Sequence, residues 1–142
     1  MASQIPDEQY ELLSKFDPPA YVPTRGESKS FQSAMASYAN KDYAGAASAL
    51  RAISDAQPAF APAKFYLGIS LLLAGDRIAG IQELGALTTN GDSPYLERAR
   101  FYLAKGLIAE HDAPRAQEQL QALIAQHGEL EKQAAVLRAA MR

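Results

Sequence analysis

The sequence predicts an all-α solenoid of antiparallel helix pairs, and three observations lead there. The stretch Ala63-Lys64-Phe65-Tyr66-Leu67-Gly68 returns 36 residues later as Ala99-Arg100-Phe101-Tyr102-Leu103-Ala104. The same step carries Leu71 to Leu107, Asp76 to Asp112, Leu84 to Leu120 and Leu87 to Leu123. An upstream copy (Ala34, Tyr38, Asp42, Leu50, Ile53) recurs 33 or 34 residues on at Leu67, Leu71, Asp76, Leu84 and Leu87. Inside each copy the apolar residues keep the spacing of a helix. Periods in this range mark helical arrays, in which each unit buries its apolar face against its neighbours. Such arrays act mostly as binding surfaces, so a binding role is favoured over catalysis.

The elements follow in chain order. Residues 4–16 read as a short helix with Asp7 as N-cap and Leu12, Leu13 and Phe16 on one face. Pro18, Pro19 and Pro23 then forbid helix and favour extended, polyproline-like backbone. Thr24-Arg25-Gly26-Glu27-Ser28 reads as a turn closing an N-terminal segment, residues 1–27. Phe31, Ala34, Met35, Tyr38 and Ala39 form one helical stripe, and Asn40-Lys41-Asp42 interrupts it. Tyr43, Ala46, Ala47, Leu50 and Ile53 continue on a second helix, which ends the first pair at about residue 58. The second pair, 59–91, has helices at about 61–74 and 77–89, with Pro62 at a first-turn position and Gly75-Asp76 as the turn. Asn90-Gly91-Asp92-Ser93-Pro94 marks a boundary, with Ser93 as N-cap and Pro94 at the first helical position. The third pair, 92–126, has helices at about 94–110 and 113–126 around His111-Asp112, and Gly128 reads as its stop. Residues 127–142 form a capping helix: Leu130, Ala134, Leu137 and Met141 share a stripe, and Glu129, Glu131, Lys132, Arg138 and Arg142 face outward.

The residues within each copy resemble the tetratricopeptide repeat. The first supplies Phe31, Ala34-Met35, Tyr38, Asp42-Tyr43, Ala46, Leu50 and Pro58. The second supplies Leu67-Gly68, Leu71, Gly75-Asp76, Gly80 and Leu84, and the third Leu103-Ala104, Leu107, Asp112, Ala116 and Leu120. Ala46, Gly68, Gly80, Ala104 and Ala116 are small where antiparallel helices approach most closely. The resemblance implies a right-handed α-solenoid of three helix pairs over residues 30–126. The first copy departs from the pattern by being one residue short at its turn, and the 36-residue step exceeds the usual repeat length. More weakly, Pro18-Pro19-x-Tyr21-x-Pro23, Arg25-Gly26 and the following repeat resemble the soluble part of bacterial membrane-anchored proteins of the anti-sigma, zinc-finger-like type. The zinc-finger segment and membrane helix of those proteins have no counterpart in this sequence.

In tetratricopeptide arrays the first helix of each pair lines a concave groove. That resemblance places Gln32, Ala36, Ala39 and Asn40, then Phe65, Ile69 and Leu72, then Phe101, Lys105 and Ile108 along it. Lys105 is the one cation among these positions, with Asn40 a marginal addition, so a clamp for a partner's carboxylate is rejected. An exposed face holding Phe65, Ile69, Leu72, Phe101 and Ile108 would be an apolar patch that needs cover. A partner peptide or helix, the chain's own Tyr21-Val22-Pro23 segment, or a second copy packed groove to groove would supply it. The alternative is that these residues are inter-helix core, because helix rotation is not set by the sequence.

The chemistry looked for is absent. With no cysteine, thiolate metal sites, disulfides and thiol catalysis are excluded. Glu110-His111-Asp112 is consecutive along a turn and reads as a solvated turn, not a metal site, and no cofactor motif or phosphate loop is present. Carboxylate pairs such as Glu129 and Glu131 lie on an exposed face, without a pocket for acid–base work. Arg98, Arg100 and Lys105 read as a solvated basic face, and a net charge of −2 excludes a general nucleic-acid footprint. Residues 1–27 carry five acids against Lys15 and Arg25. The polar, acidic start is unlike a signal peptide, no run approaches a membrane span, and the compartment is left open. The sequence therefore points to a non-enzymatic protein-interaction module. The alternative is an assembly or sensory domain of a larger bacterial envelope-associated regulator, its groove covered by its own N-terminal segment or by self-association.

Overall fold

The computed structural model describes residues 5–89 and 94–141. Among them are eight helices: α1 (Asp7–Ser14), α2 (Lys29–Ala39), α3 (Tyr43–Ala56), α4 (Ala61–Leu73), α5 (Arg77–Thr89), α6 (Leu96–Ala109), α7 (Ala113–Gln126) and α8 (Glu131–Ala140). From α2 onward each helix packs on the next in chain order, α4 also meets α6, and α1 returns to lie on α6. Contact between successive neighbours is the packing logic of a helical repeat.

Three turns of one geometry set the helix pairs. At Asn40-Lys41-Asp42 the Lys41 N–H donates to Tyr38 O (3.0 Å) and the Asp42 N–H to Ser37 O (2.9 Å). The pattern repeats at Gly75 and Asp76, donating to Leu72 O (3.2 Å) and Leu71 O (2.9 Å). It repeats again at His111 and Asp112, donating to Ile108 O (2.9 Å) and Leu107 O (2.8 Å). These paired bonds close a helix through a residue in the left-handed region, here Lys41 (φ 64°), Gly75 (φ 94°) and His111 (φ 60°). The aspartate that ends one helix then starts the next: Asp42 Oδ1 accepts from the Gly45 N–H (3.1 Å) and Asp112 Oδ1 from the Arg115 N–H (3.3 Å).

The small residues lie at the closest approaches. A Cβ on Gly80 would stand 3.0 Å from Gly68 O and 2.9 Å from the Leu72 side chain, and one on Gly68 would run into Leu84. Ala46, Ala104 and Ala116 are fully buried at the corresponding positions. Gly106 belongs to the same set, since Leu72 and Ile81 fill the space beside it. Glu83 of α5 ties in α3 and α4 through Arg51 (3.6 Å) and Lys64 (3.4 Å).

Several local expectations change. α1 begins at Asp7 with Pro6 as its N-cap, because the extended Pro6 backbone (ψ 151°) supplies the entry and Asp7 joins the first turn. α6 begins at Leu96 behind Tyr95, not at Pro94; the expected Asn90–Ser93 turn and Ser93 cap lie outside the described residues. α7 is closed by His127 (φ 54°), not by Gly128. Gly128 is small for another reason: the Glu97 carboxylate, which accepts from the Leu130 N–H (3.2 Å), occupies the space beside it. Ala39, placed on the buried stripe of α2, is exposed.

Replacing Gly80 by Ala forces a methyl against the Gly68 carbonyl and Leu72, and is expected to cost about 1–3 kcal/mol of stability in chemical denaturation. Asp42→Ala and Asp112→Ala are each expected to cost about 1 kcal/mol in the same measurement, with additive effects because the two turns are distant.

Candidate functional site

The N-terminal segment lies across the first helices of the pairs. Its prolines prevent helix beyond Ser14, and residues 15–24 are non-helical throughout. α1 enters over α6. The final carbonyls of a helix lack intrahelical partners, and one of them, Leu13 O, accepts from Lys105 Nζ at 2.7 Å. Tyr10, buried, stacks on His111 with ring centroids 4.2 Å apart and planes 12° apart. Asp7 Oδ1 lies 3.6 Å from His111 Nδ1, and Gln9 Nε2 donates to Ala140 O (3.1 Å) at the end of α8.

The extended part continues onto α4 and α2. Phe16 packs on Tyr102 of α6, centroids 5.0 Å apart. The Tyr66 hydroxyl donates to Ala20 O (3.1 Å) and the Tyr38 hydroxyl to Pro19 O (2.7 Å). Tyr21 stands edge-on to Phe31 and Tyr66, at 5.8 Å from each. Its hydroxyl donates to the Glu27 carboxylate, which also accepts from Thr24 Oγ1 (3.1 Å). Tyrosines and a lysine on three successive first helices thus meet one stretch of backbone, and the donors all point at carbonyls.

Burial keeps the tyrosine donors protonated. It pushes the phenols of Tyr38, Tyr66 and Tyr102 above their ordinary value, with Arg98 partly offsetting the effect at Tyr66 and Tyr102. Tyr21 is pushed up to about 12, by burial first and then by its bond to Glu27. Burial also lowers the ammonium pKa of Lys105, and an amine donates in either protonation state.

The residues expected to line the groove divide into three groups. Phe65, Ile69, Leu72 and Ile108 are in the core, which is the inter-helix alternative. Phe65 lies against Tyr95 (4.8 Å) beneath the Arg98 guanidinium (5.1 Å), and Leu72 fills the space beside Gly80 and Gly106. Gln32, Ala36 and Asn40 are exposed on α2, where Gln32 donates to Glu27 O (3.0 Å) and is not joined to the other two groups. Phe101 and Lys105, half-buried, come together with the ammonium 5.6 Å from the ring. Both border an apolar cavity of about 380 Å³ with Leu13 of α1 and Val136 of α8. Lys105 and Leu72 also border a cavity of about 570 Å³ with Phe16 and Asp17.

The face that meets the segment is centred on Tyr66 and Tyr102, one position beyond Phe65 and Phe101. Tyr38 and His111 also belong to it. The recurrence of tyrosine at positions 66 and 102 was the available signal, but it equally fitted core packing. His111 is half of a ring stack with Tyr10 as well as a turn residue. Among the described residues, no three His, Asp or Glu side chains converge on a metal position, and no helix is long and apolar enough to cross a membrane.

No protein-family model matches the chain, and no curated protein matches it. A chain of a solved structure, the CopN–Scc3 complex, superposes with a TM-score of 0.70 over 95% of this chain and 88% of that one, at 18% identity. That likeness speaks for the fold. This is an all-α helical-repeat protein.

Raised tyrosine pKa values make the folded state hold more protons than the unfolded state above pH 10. Stability from these four phenols is full below about 10 and is lost as pH rises through their folded values, through about 12 for Tyr21. The depressed Lys105 works with the opposite sign, its penalty fading as pH approaches 10.5. Tyrosinate absorbance is expected to show a late-titrating group, and Tyr21→Phe is expected to remove one phenol from it.

Proposed function

We propose that this chain is a non-enzymatic protein-interaction module of the tetratricopeptide type, whose first-helix face holds polypeptide. The observation behind this reading is the donation by Tyr38, Tyr66 and Lys105 to carbonyls of residues 13–20. Surfaces that bind peptides use main-chain bonds for affinity and side-chain pockets for selection. Here Tyr10, Phe16 and Tyr21 are the anchors, each on an aromatic partner. Fully burying an aromatic side chain contributes roughly 1.5–3 kcal/mol, so the three anchors act together with the bonds to the segment's carbonyls in holding it. The shared fold with a chain of the CopN–Scc3 complex, itself an assembly of proteins, supports the reading at that coarse level. In this proposal Phe101, Lys105 and Leu72 border the working surface, and Gln32, Ala36 and Asn40 extend it along α2.

A second reading is an assembly or sensory domain of a larger envelope-associated regulator whose groove its own N-terminal segment covers. The seated segment favours it as well, and the two readings differ in whether that segment ever yields its place.

Hydrogen exchange on the intact chain tests the shared premise. The amides of Tyr10 to Lys15, hydrogen-bonded within α1, are expected to be protected, and to exchange at least tenfold faster in Tyr38→Phe/Tyr66→Phe/Lys105→Met while α4 to α7 keep their protection. Free-peptide exchange across residues 10–15 of the unaltered chain would sink the premise.

A further inference from the structure

We propose that the cavity where α1, α6 and α8 meet takes a single-chain anionic amphiphile, a carboxylate on a long unbranched alkyl tail. The cavity, about 380 Å³, is walled by Leu13 of α1, Phe101 of α6, and Val136 and Ala140 of α8, with Lys105, Lys132 and Gln133 as its polar groups. Apolar walls with a few placed polar groups are the usual make-up of a small-molecule site, and such sites span ~300–1,000 Å³. The site is additional to the polypeptide face and leaves the N-terminal segment in its place, since α1 supplies one of its walls.

The two lysines call for an anion. Lys105 is half-buried. Its ammonium has three N–H donors, of which Leu13 O takes one at 2.7 Å, and the Phe101 ring lies 5.6 Å away. Burial lowers its pKa, as expected of a cation drawn out of water without a counter-ion. Asp17 borders the neighbouring cavity with Lys105, yet among the described residues no ion pair includes Lys105 or Lys132. A desolvated charge is costly unless it is paired. The sequence argument against a carboxylate clamp rested on Lys105 as the one cation of the first helices, and the fold adds Lys132 from α8 to the same cavity.

The walls call for a tail. A terminal helix of a repeat array needs a polar outer face, but Val136 is 71% exposed while Ala134 and Leu137 of the same helix are buried. Residues four apart share one face of a helix, so Lys132, Val136 and Ala140 form a second strip on α8, apolar with a cation at one end. Gln9 Nε2, donating to Ala140 O (3.1 Å), holds the α1 wall against the other end. An alkyl chain in the cavity covers Val136 and Phe101, and its carboxylate meets the ammonium groups. A partner helix fits less well: at ~10–12 Å across, less than one ~5.4 Å turn of it would enter this volume.

Isothermal titration calorimetry on the intact chain provides the test, with sodium dodecanoate below its micelle concentration beside sodium octanoate and dodecyltrimethylammonium chloride. Dodecanoate is expected to bind once per chain, at least tenfold tighter than either comparison. Octanoate is four methylenes shorter, each buried methylene counting about fourfold, and dodecyltrimethylammonium has the same tail under the opposite charge. Val136→Glu and Lys132→Glu, at exposed positions, are each expected to weaken dodecanoate at least tenfold. Bound dodecanoate is also expected to slow hydrogen exchange of the Tyr10 to Lys15 amides in the wild type, because Leu13 is one of its walls. Equal binding of the two dodecyl compounds would overturn the anionic ligand, and binding untouched by both variants would overturn the site. No binding at millimolar dodecanoate would overturn the proposal as a whole. Without dodecanoate binding, two results would assign the patch elsewhere: phosphatidylglycerol vesicles that sediment the chain through Val136 and Lys132, or wild-type dimers that Val136→Glu disperses. None of these failures touches the polypeptide-binding reading, which stands on the bonds from Tyr38, Tyr66 and Lys105.

Discussion

Leu72 occupies the space that the missing side chains of Gly80 and Gly106 leave open, so α4, α5 and α6 converge on a single isobutyl group. The Gly68–Gly80 approach draws the first and second helices of this pair together, and the Gly80–Leu72–Gly106 contact sets the next pair against it. The first helices α4 and α6 are thereby held side by side, and α4 and α6 are in contact. A methyl at either glycine would part the helices and carry the tyrosines of the face with them. The face depends on this packing more than on any residue of its own.

Given that packing, the chain has an aromatic surface to cover. Tyr66 and Tyr102 present rings too large to leave bare and hydroxyls too polar to bury alone. The N-terminal segment answers both needs, since its rings pack on the aromatic face and its carbonyls accept from the Tyr38 and Tyr66 hydroxyls and from Lys105. Lys105 holds the exit of α1 through Leu13 O, and His111 holds its middle through Tyr10. His111 serves two ends at once, because the left-handed turn that closes α6 also aims its imidazole at α1. The acidic character of residues 1–27 is spent partly on that contact, at Asp7, and partly on Glu27, which organises the turn beyond Tyr21.

Much of the array was legible residue by residue. Asp42, Asp76 and Asp112 stood out as repeated positions, and each ends one helix where the next begins. Gly68 and Gly80 were expected at a close approach and lie there. The site was less legible. Phe65 and Phe101 occupy equivalent repeat positions, yet Phe65 is core and Phe101 half-buried, because Phe65 has Tyr95, Arg98 and Tyr102 of the next pair over it whereas Phe101 lies near the end of the array beside α1 and α8. The face that meets the N-terminal segment is centred one residue later. A one-residue step on a helix is about 100° of rotation, and hydrophobic periodicity does not separate two adjacent aromatic positions when both are large and apolar.

The sequence by itself determined the helices, their pairing and the small contacts between them, because these follow from local spacing, capping aspartates and glycine, all of which act within a few residues. Only the tertiary structure decided which way each helix is turned and what lies on the resulting face. Those outcomes depend on contacts such as Lys105 with Leu13 and Tyr66 with Ala20. Such pairs are far apart along the chain, and no local pattern encodes them.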